Sequence, residues 1–110
     1  MEYLFVYCLF RDSGKGVLGE CTYCVRAFIT GKLYRVNEFY PGYVPDKNSK
    51  VWGDVYLVNP DNFTQMDEYE GDEYFRTKVR SSTDIECWVY QYKYDVTKFE
   101  EIKGGDWMLR

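Results

Sequence analysis

The sequence has 110 residues, the length of a single domain that can bury a hydrophobic core without disulfides or a structural metal. Its net charge of −4 and isoelectric point near 4.8 disfavour a nucleic-acid partner, because the phosphate backbone attracts basic surfaces. The sequence contains no histidine, so any proton transfer must use Glu, Asp, Tyr, Lys or Cys. We therefore expect one domain over residues 1–110, with no metal and no cofactor.

The first residues do not resemble a targeting segment. Residues 1–7 combine an acidic residue with a short apolar run and lack the basic region that precedes such a run in a signal peptide. No apolar stretch approaches the length that crosses a bilayer. We expect a cytoplasmic protein without a membrane partner, in which Cys8, Cys21, Cys24 and Cys87 stay reduced.

Aromatic residues make up 20% of the sequence and favour strands over helices. Strands are predicted where apolar and aromatic residues run between turn-forming residues, at 4–9, 23–29, 32–36, 51–58, 74–81 and 85–94. The first run is apolar throughout, which is typical of a strand buried on both faces. Residues 39–45 are rich in Pro and Gly and are interpreted as irregular, and helical turns are predicted at 17–21 and 98–102.

One helix is predicted over residues 59–71. Asn59 suits the N-cap, Pro60 suits the first helical position, and Asp61 suits the positive end of the helix dipole. Gly71 supplies the left-handed residue that ends a helix. Strands dominate and no alternation of strands and helices repeats, which disfavours a doubly wound parallel sheet.

Glu70 is the leading catalytic candidate on helical periodicity. At about 100° per residue, Phe63, Met66 and Glu70 fall on one side of the predicted helix. A carboxylate on the inner side loses hydration, which raises its pKa towards the range useful for proton transfer at neutral pH. The alternative is a structural role, in which Glu70 forms a salt bridge with Arg76 or Lys78.

Two further patterns have competing interpretations. Cys21 and Cys24 form a Cys-x-x-Cys pair, but no second pair completes a zinc site and no strand-to-helix context supports a thioredoxin-like site. Reduced structural thiols are therefore favoured. The aromatic residues of 88–94 could stack single-stranded bases, which the acidic charge disfavours. Basic residues at 76, 78 and 80 share one strand face, which is interpreted as solvated or ion-paired.

Four motifs occur in a fixed order along the chain. Residues 5–11 read Phe-Val-Tyr-Cys-Leu-Phe-Arg, 31–34 read Gly-Lys-Leu-Tyr with Tyr-Pro at 40–41, 51–56 read Val-Trp-Gly-Asp-Val-Tyr, and 66–71 read Met-Asp-Glu-Tyr-Glu-Gly before Tyr74 and Arg76. In this order they resemble the gamma-glutamylcyclotransferase-like superfamily, also called the AIG2-like family. The resemblance covers nearly the whole chain. It implies a small α+β fold, with a mixed, partly closed barrel-like sheet, one main helix and a cavity at the end of the first strand.

The resemblance also implies a reaction. In this family the α-amine of a γ-glutamyl compound attacks its own γ-carbonyl and closes a five-membered ring, which releases an amine and 5-oxoproline. Glu70 corresponds to the catalytic glutamate, which would take a proton from the ammonium and deliver it to the leaving nitrogen. The resemblance implies that the substrate contacts a backbone-amide cradle formed by Tyr7, Cys8, Leu9, Phe10 and Arg11. The other expected contacts are the tyrosines Tyr40, Tyr74 and Tyr90, with Tyr92 as an alternative to Tyr90.

Two positions in the first motif differ from the family pattern. Cys8 stands where the family has Gly, and its side chain occupies space that glycine leaves to a ligand. Leu9 stands where the family has Thr and lacks the hydroxyl donor. A second hypothesis is therefore a binding or interaction protein on the same scaffold, without turnover. A small molecule is the expected partner in both cases, and the sequence leaves the oligomeric state open.

Overall fold

The computed structural model describes residues 1–8 and 21–109. In this part of the chain seven strands form one mixed sheet with one α-helix beside it, and their bounds are β1 Glu2–Val6, β2 Cys21–Thr30, β3 Lys32–Arg35, β4 Pro41–Val44, β5 Lys50–Val58, α1 Phe63–Glu70, β6 Tyr74–Arg80 and β7 Glu86–Tyr92. Short 3₁₀ segments cover Pro60–Asn62 and Trp107–Leu109. Leu9, Phe10 and Arg11 lie outside the described residues, as does most of the helical turn predicted at 17–21.

The sheet has the strand order β2-β5-β1-β7-β4-β3. β6 pairs with β7 along the whole of one edge, so β1 and β4 share the other edge, with Leu4 opposite Trp88 and Tyr43 opposite Gln91. Both of these pairings are parallel, whereas the others are antiparallel. The sheet curls into a half-barrel, which confirms the predicted α+β fold with a mixed, partly closed sheet and one main helix. No helix in the described ranges is long and apolar enough to cross a membrane.

β1 buries both of its faces, as its apolar sequence predicts. Phe5 faces the inside of the curled sheet, where it belongs to the larger hydrophobic cluster. Leu4 and Val6 point to the opposite face and pack with Phe63 and Met66 of helix α1. The alternation of side chains along a strand thus connects two cores through one strand.

The hydroxyl of Tyr7 lies where β1 ends and β4 takes its place beside β7. The Tyr7 hydroxyl donates a hydrogen bond to the Tyr90 carbonyl at 2.6 Å and accepts one from the Tyr43 amide at 3.3 Å. Tyr7 is buried, so water cannot satisfy these backbone groups instead. A side chain therefore completes the hydrogen bonding of the sheet at the point where two strands diverge.

We expect Tyr7→Phe to lower the free energy of unfolding by about 1–3 kcal/mol, since two buried backbone groups lose their partner while the ring is kept. Urea unfolding followed by tryptophan fluorescence measures the change. Tyr94→Phe is the matched control, because the Tyr94 side chain is 53% exposed. Equal stabilities of the two variants would contradict the bridging role.

Residues 100–105 bridge strands β3 and β5. The Arg35 amide donates to the Glu100 carbonyl at 2.8 Å, and the Trp52 amide donates to the Gly105 carbonyl at 2.8 Å. Between these two contacts, the Ile102 amide donates to the Leu33 carbonyl of β3 at 2.7 Å. The helical turn predicted at 98–102 is therefore wrong, because pairing with distant strands outweighs the local preference for a helix.

Strand β4 lies in the segment interpreted as irregular. Its first residue, Pro41, has no N–H to donate, which is tolerated at the start of a strand. Tyr43 is buried in the larger core cluster and faces Leu33 of β3. Burial of an aromatic residue between two neighbouring strands thus forms a strand where Pro and Gly suggested none.

Candidate active site

Helix α1 carries Glu70 at its C-terminal end. The Asn59 side chain accepts a hydrogen bond from the Asp61 amide at 3.0 Å, and Pro60 begins the 3₁₀ turn that leads into the helix. Gly71 follows the last helical residue with φ of 77°. These capping residues confirm the helix predicted over 59–71 and determine where Glu70 emerges.

Glu70 lies on the inner side of α1, as the helical periodicity predicts. Phe63 and Met66 are buried, and Glu70 is half-buried on the same side. Its carboxylate lines a small cavity together with residues at the end of β1 and on β7, namely Leu4, Phe5, Val6, Tyr7, Cys8 and Tyr90. The cavity volume is about 10 Å³, which is room for about one water molecule.

Burial changes the acidity of Glu70. Loss of hydration, reinforced by the negative charge of Asp67, raises the pKa of the Glu70 carboxyl to about 7. At neutral pH the group is therefore present in both its ionised and its protonated form. A group in this state can accept a proton in one step and return it in the next.

The raised pKa predicts that the free energy of unfolding falls as the pH rises from about 5 to about 8. In this range folded Glu70 binds more protons than unfolded Glu70, because the pKa is about 7 in the fold and 4.5 in the unfolded chain. The stabilisation is complete below the lower pKa and is lost as the pH rises through the higher one. The difference amounts to roughly 3 kcal/mol. Urea unfolding of wild type and Glu70→Gln measures it, and an identical pH dependence in both proteins would contradict the shift.

Asp67, one helical turn before the end of α1, is held by two partners. Arg76 pairs with both carboxylate oxygens, at 3.0 and 3.2 Å, and the Tyr90 hydroxyl donates to one of them at 2.6 Å. Partial burial acts to raise the pKa of Asp67, but the hydrogen bonds from Arg76 and Tyr90 lower it overall. The guanidinium of Arg76 also lies over the rings of Phe63 and Trp88, 4.1 and 4.5 Å from their centroids. Asp67 is thus a fixed negative charge.

The structural alternative for Glu70, a salt bridge with Arg76 or Lys78, does not form. Arg76 is paired with Asp67, and Lys78 lies 3.4 Å from Glu86 on the neighbouring strand. Glu70 has no salt bridge within residues 1–8 and 21–109. The basic face of β6 is ion-paired, in agreement with its interpretation from the sequence.

The predicted tyrosines differ in their placement. Tyr74 and Tyr90 line a groove of about 390 Å³ at the C-terminal end of α1, and Tyr90 also lines the cavity beside Glu70. Tyr40 is exposed, with its ring 6.4 Å from that of Tyr74. Tyr92 lines neither space and packs against the Tyr74 ring at 5.4 Å. Tyr90 is therefore better placed than Tyr92 to contact a ligand.

Cys8 lies just beyond the end of β1. It is half-buried, packs against both core clusters and lines the same cavity as Glu70. The residue that stands in place of the family glycine is therefore next to the candidate base. The rest of the predicted cradle, Leu9 to Arg11, lies outside the described residues.

The cysteine pair of β2 is separated by a distortion of the strand. Cys24 is the extra residue of a β-bulge, since Tyr23 and Val25 face consecutive residues of β5. Cys24 is exposed, Cys21 is half-buried, and neither forms a disulfide. Over residues 1–8 and 21–109 no group of three or more metal-binding side chains is placed to hold a metal.

Comparison with known proteins decides the family. Residues 4–109 match the family described as gamma-glutamyl cyclotransferase, AIG2-like. The chain belongs to this family. No functionally curated protein matches it.

Three of the solved structures that are similar to this chain show the same fold. An uncharacterized protein from Pyrococcus horikoshii is 21% identical with a TM-score of 0.80, over 96% of this chain and 89% of that one. The protein ytfP from Escherichia coli is 26% identical with a TM-score of 0.75, over 96% of both chains. An AIG2-like protein from Mus musculus is 20% identical with a TM-score of 0.76, over 94% of this chain and 86% of that one. These similarities extend over the whole AIG2-like fold.

Proposed function

We propose that this protein is a cyclotransferase that cleaves a γ-glutamyl amine or related amide, releasing 5-oxoproline and an amine, with Glu70 as general acid and base. The observation that supports the proposal is the inward-facing Glu70 carboxylate, whose pKa is raised to about 7 beside the cavity at the end of β1. Membership of the AIG2-like family is consistent with this reaction.

The proposed reaction needs one proton carrier and no added water. The Glu70 carboxylate accepts a proton from the substrate α-ammonium, and the freed nitrogen attacks the γ-carbonyl carbon of the same molecule. A carbon–nitrogen bond forms and the carbonyl electrons move to oxygen. Protonated Glu70 then donates its proton to the leaving nitrogen, the bond to that nitrogen breaks, and the carbonyl re-forms in the lactam ring. The ring nitrogen gives up its second proton to the regenerated Glu70 carboxylate, and this proton leaves with the released amine as an ammonium.

Glu70 is the described group near the cavity whose proton affinity suits this task. Burial, with a contribution from the charge of Glu70, raises the pKa values of Tyr7 and Tyr74 above the ordinary tyrosine value of 10.0, so these phenols keep their protons at neutral pH. Asp67 has a lowered pKa and its oxygens are engaged by Arg76. The backbone amides from position 8 onward are the proposed donors to the developing oxyanion.

Incubation of the purified protein with a panel of γ-glutamyl amines tests the proposal. Chromatographic detection of 5-oxoproline, in equal amount with the released amine, is the expected result. If no member of the panel yields 5-oxoproline above the uncatalysed rate, the proposed reaction is overturned.

A second candidate is a small-molecule-binding protein without turnover. It is supported by the Cys8 side chain in the cavity wall and by a cavity of only about 10 Å³ beside Glu70. Saturable binding of a γ-glutamyl amine without release of 5-oxoproline would favour this function. For either function we propose a cytoplasmic location, since a reducing compartment suits four cysteines that form no disulfide.

A further inference from the structure

Tyr74 and Tyr90, the phenols that line the groove at the C-terminal end of α1, have hydroxyl groups of fixed polarity. Tyr74 donates its proton to the Pro41 carbonyl at 2.7 Å, and Tyr90 donates its proton to the Asp67 carboxylate at 2.6 Å. A phenol has a single proton to donate. Towards any further partner, both oxygens can therefore act only as hydrogen-bond acceptors.

The Tyr7 hydroxyl is not available to accept a hydrogen bond from a ligand. Its hydroxyl donates to the Tyr90 carbonyl and already accepts from the Tyr43 amide, and its side chain is buried. Among the phenols near Glu70, those that can still accept a hydrogen bond from a ligand are thus Tyr74 and Tyr90.

Asp67 determines the direction of the Tyr90 hydroxyl. Its lowered pKa keeps it ionised at neutral pH, so it can only accept hydrogen bonds. Arg76 holds both of its oxygens in a two-point contact, which prevents the carboxylate from rotating away from Tyr90. The Tyr90 proton therefore points to Asp67 and not into the groove.

The charged side chains that line the groove balance one another. The groove is lined by two acids, Asp67 and Asp72, and by two bases, Arg76 and Lys93. Arg76 is neutralised by Asp67, which leaves Asp72 and Lys93 to balance each other. Glu70 lines the neighbouring cavity, and its negative charge contributes to the raised pKa values of Tyr74 and Tyr90, which places it near both phenols.

We propose that Tyr74 and Tyr90 form an ammonium subsite, in which their hydroxyl oxygens accept hydrogen bonds from a positively charged amine held beside Glu70. Asp67 and Arg76 are positioning residues for Tyr90. The identification of this amine with the nucleophile of a γ-glutamyl substrate rests on the proposed function. The same polarity excludes carboxylate and oxyanion groups from this subsite, because the phenols have no proton left to donate to them.

A pair of probes isolates the contribution of the amine. γ-Glutamyl-methylamide carries the α-ammonium, whereas its des-amino analogue lacks only that group. Both are titrated calorimetrically into Glu70→Gln protein, which prevents turnover, and the ratio of the two dissociation constants gives the selectivity for the ammonium. The ratio is the dissociation constant of the des-amino analogue divided by that of γ-glutamyl-methylamide. Introducing Tyr90→Phe into the Glu70→Gln protein should lower it by about tenfold or more, since a hydrogen bond to a charged group is lost.

Tyr94→Phe is the matched control, because it removes a phenol oxygen from an exposed ring outside the groove. It should leave the selectivity unchanged. An unchanged ratio in the Tyr90→Phe protein overturns the subsite, and so does a failure of γ-glutamyl-methylamide to bind both the wild type and the Glu70→Gln protein at millimolar concentration.

Asp67→Asn tests positioning separately from the presence of the phenol. The new amide can donate to the Tyr90 oxygen, which turns the Tyr90 proton towards the groove, so selectivity should fall although Tyr90 is retained. Glu68→Gln, an exposed neutralisation on the same helix, should leave it unchanged. Equal selectivity in these two variants would overturn the role of Asp67.

The 5-oxoproline assay of the wild type separates this inference from the proposed function. Turnover with no dependence of selectivity on Tyr90 overturns the subsite alone. Selective binding of the ammonium probe without turnover leaves the subsite standing and overturns the proposed reaction.

Discussion

Replacing Glu70 with glutamine should lower kcat/KM for 5-oxoproline formation by about 10²–10⁴-fold, the usual contribution of a general acid–base group. Glutamine keeps the shape of the side chain but can neither accept nor return the proton. The wild-type rate should rise with pH through about 7, as the raised pKa of Glu70 is passed and its ionised form accumulates. The residual rate of the variant should lack this step.

Glu68→Gln is the control for this experiment, since it removes an exposed carboxylate from the same helix. Its rate and pH profile should match those of the wild type. Circular dichroism of both variants establishes that helix α1 is retained. Equal rates for wild type and Glu70→Gln across the substrate panel would eliminate Glu70 as the proton carrier.

Gly105→Ala should lower the free energy of unfolding by about 2–5 kcal/mol, from backbone strain and overpacking together. Gly105 has φ of 67°, and an added Cβ would lie 1.8 Å from the carbonyl oxygen of Lys50. To relieve this clash the backbone must move away from β5, which breaks the 2.8 Å hydrogen bond between the Trp52 amide and the Gly105 carbonyl. Thermal and urea unfolding measure the loss.

The neighbouring residue provides a matched control. Gly104 has φ of 88°, but a Cβ added there would have no atom within 4 Å. Gly104→Ala should therefore cost only the strain of a left-handed backbone, about 1–2 kcal/mol. If both variants lose the same stability, the close approach of Gly105 to Lys50 is not what holds residues 100–105 against the sheet.

Elements determined by their own sequence could be predicted well. Helix α1 follows from the 3₁₀ turn that Asn59 caps and from the stop at Gly71, and the double burial of β1 follows from its unbroken apolar run. In both cases the signal lies within a few residues of the element. The inward orientation of Glu70 was predictable for the same reason, because it depends only on helical periodicity from Phe63.

Elements that depend on distant partners could not be predicted from local sequence. Strand β4 is extended, and residues 100–105 bridge β3 and β5 with a turn at 102–105, because β7, β3 and β5 offer them backbone partners. Their own residues suggest irregular chain and a helical turn instead. The same limit applies to the site. Asp67 and Arg76 occur in the family motifs, but their pairing with each other and with Tyr90 appears only when α1, β6 and β7 are brought together.

The hydroxyl bridge of Tyr7 has a consequence for how fast the protein folds. It joins residues that are 83 positions apart along the chain, and β1, which precedes the other described strands in the sequence, lies inside the sheet between β5 and β7. β1 can therefore pair along its two edges only after β5 and β7 have been synthesised. Contacts of such long sequence separation are slow to form, so we expect folding in milliseconds to seconds, with the bridge among the late events.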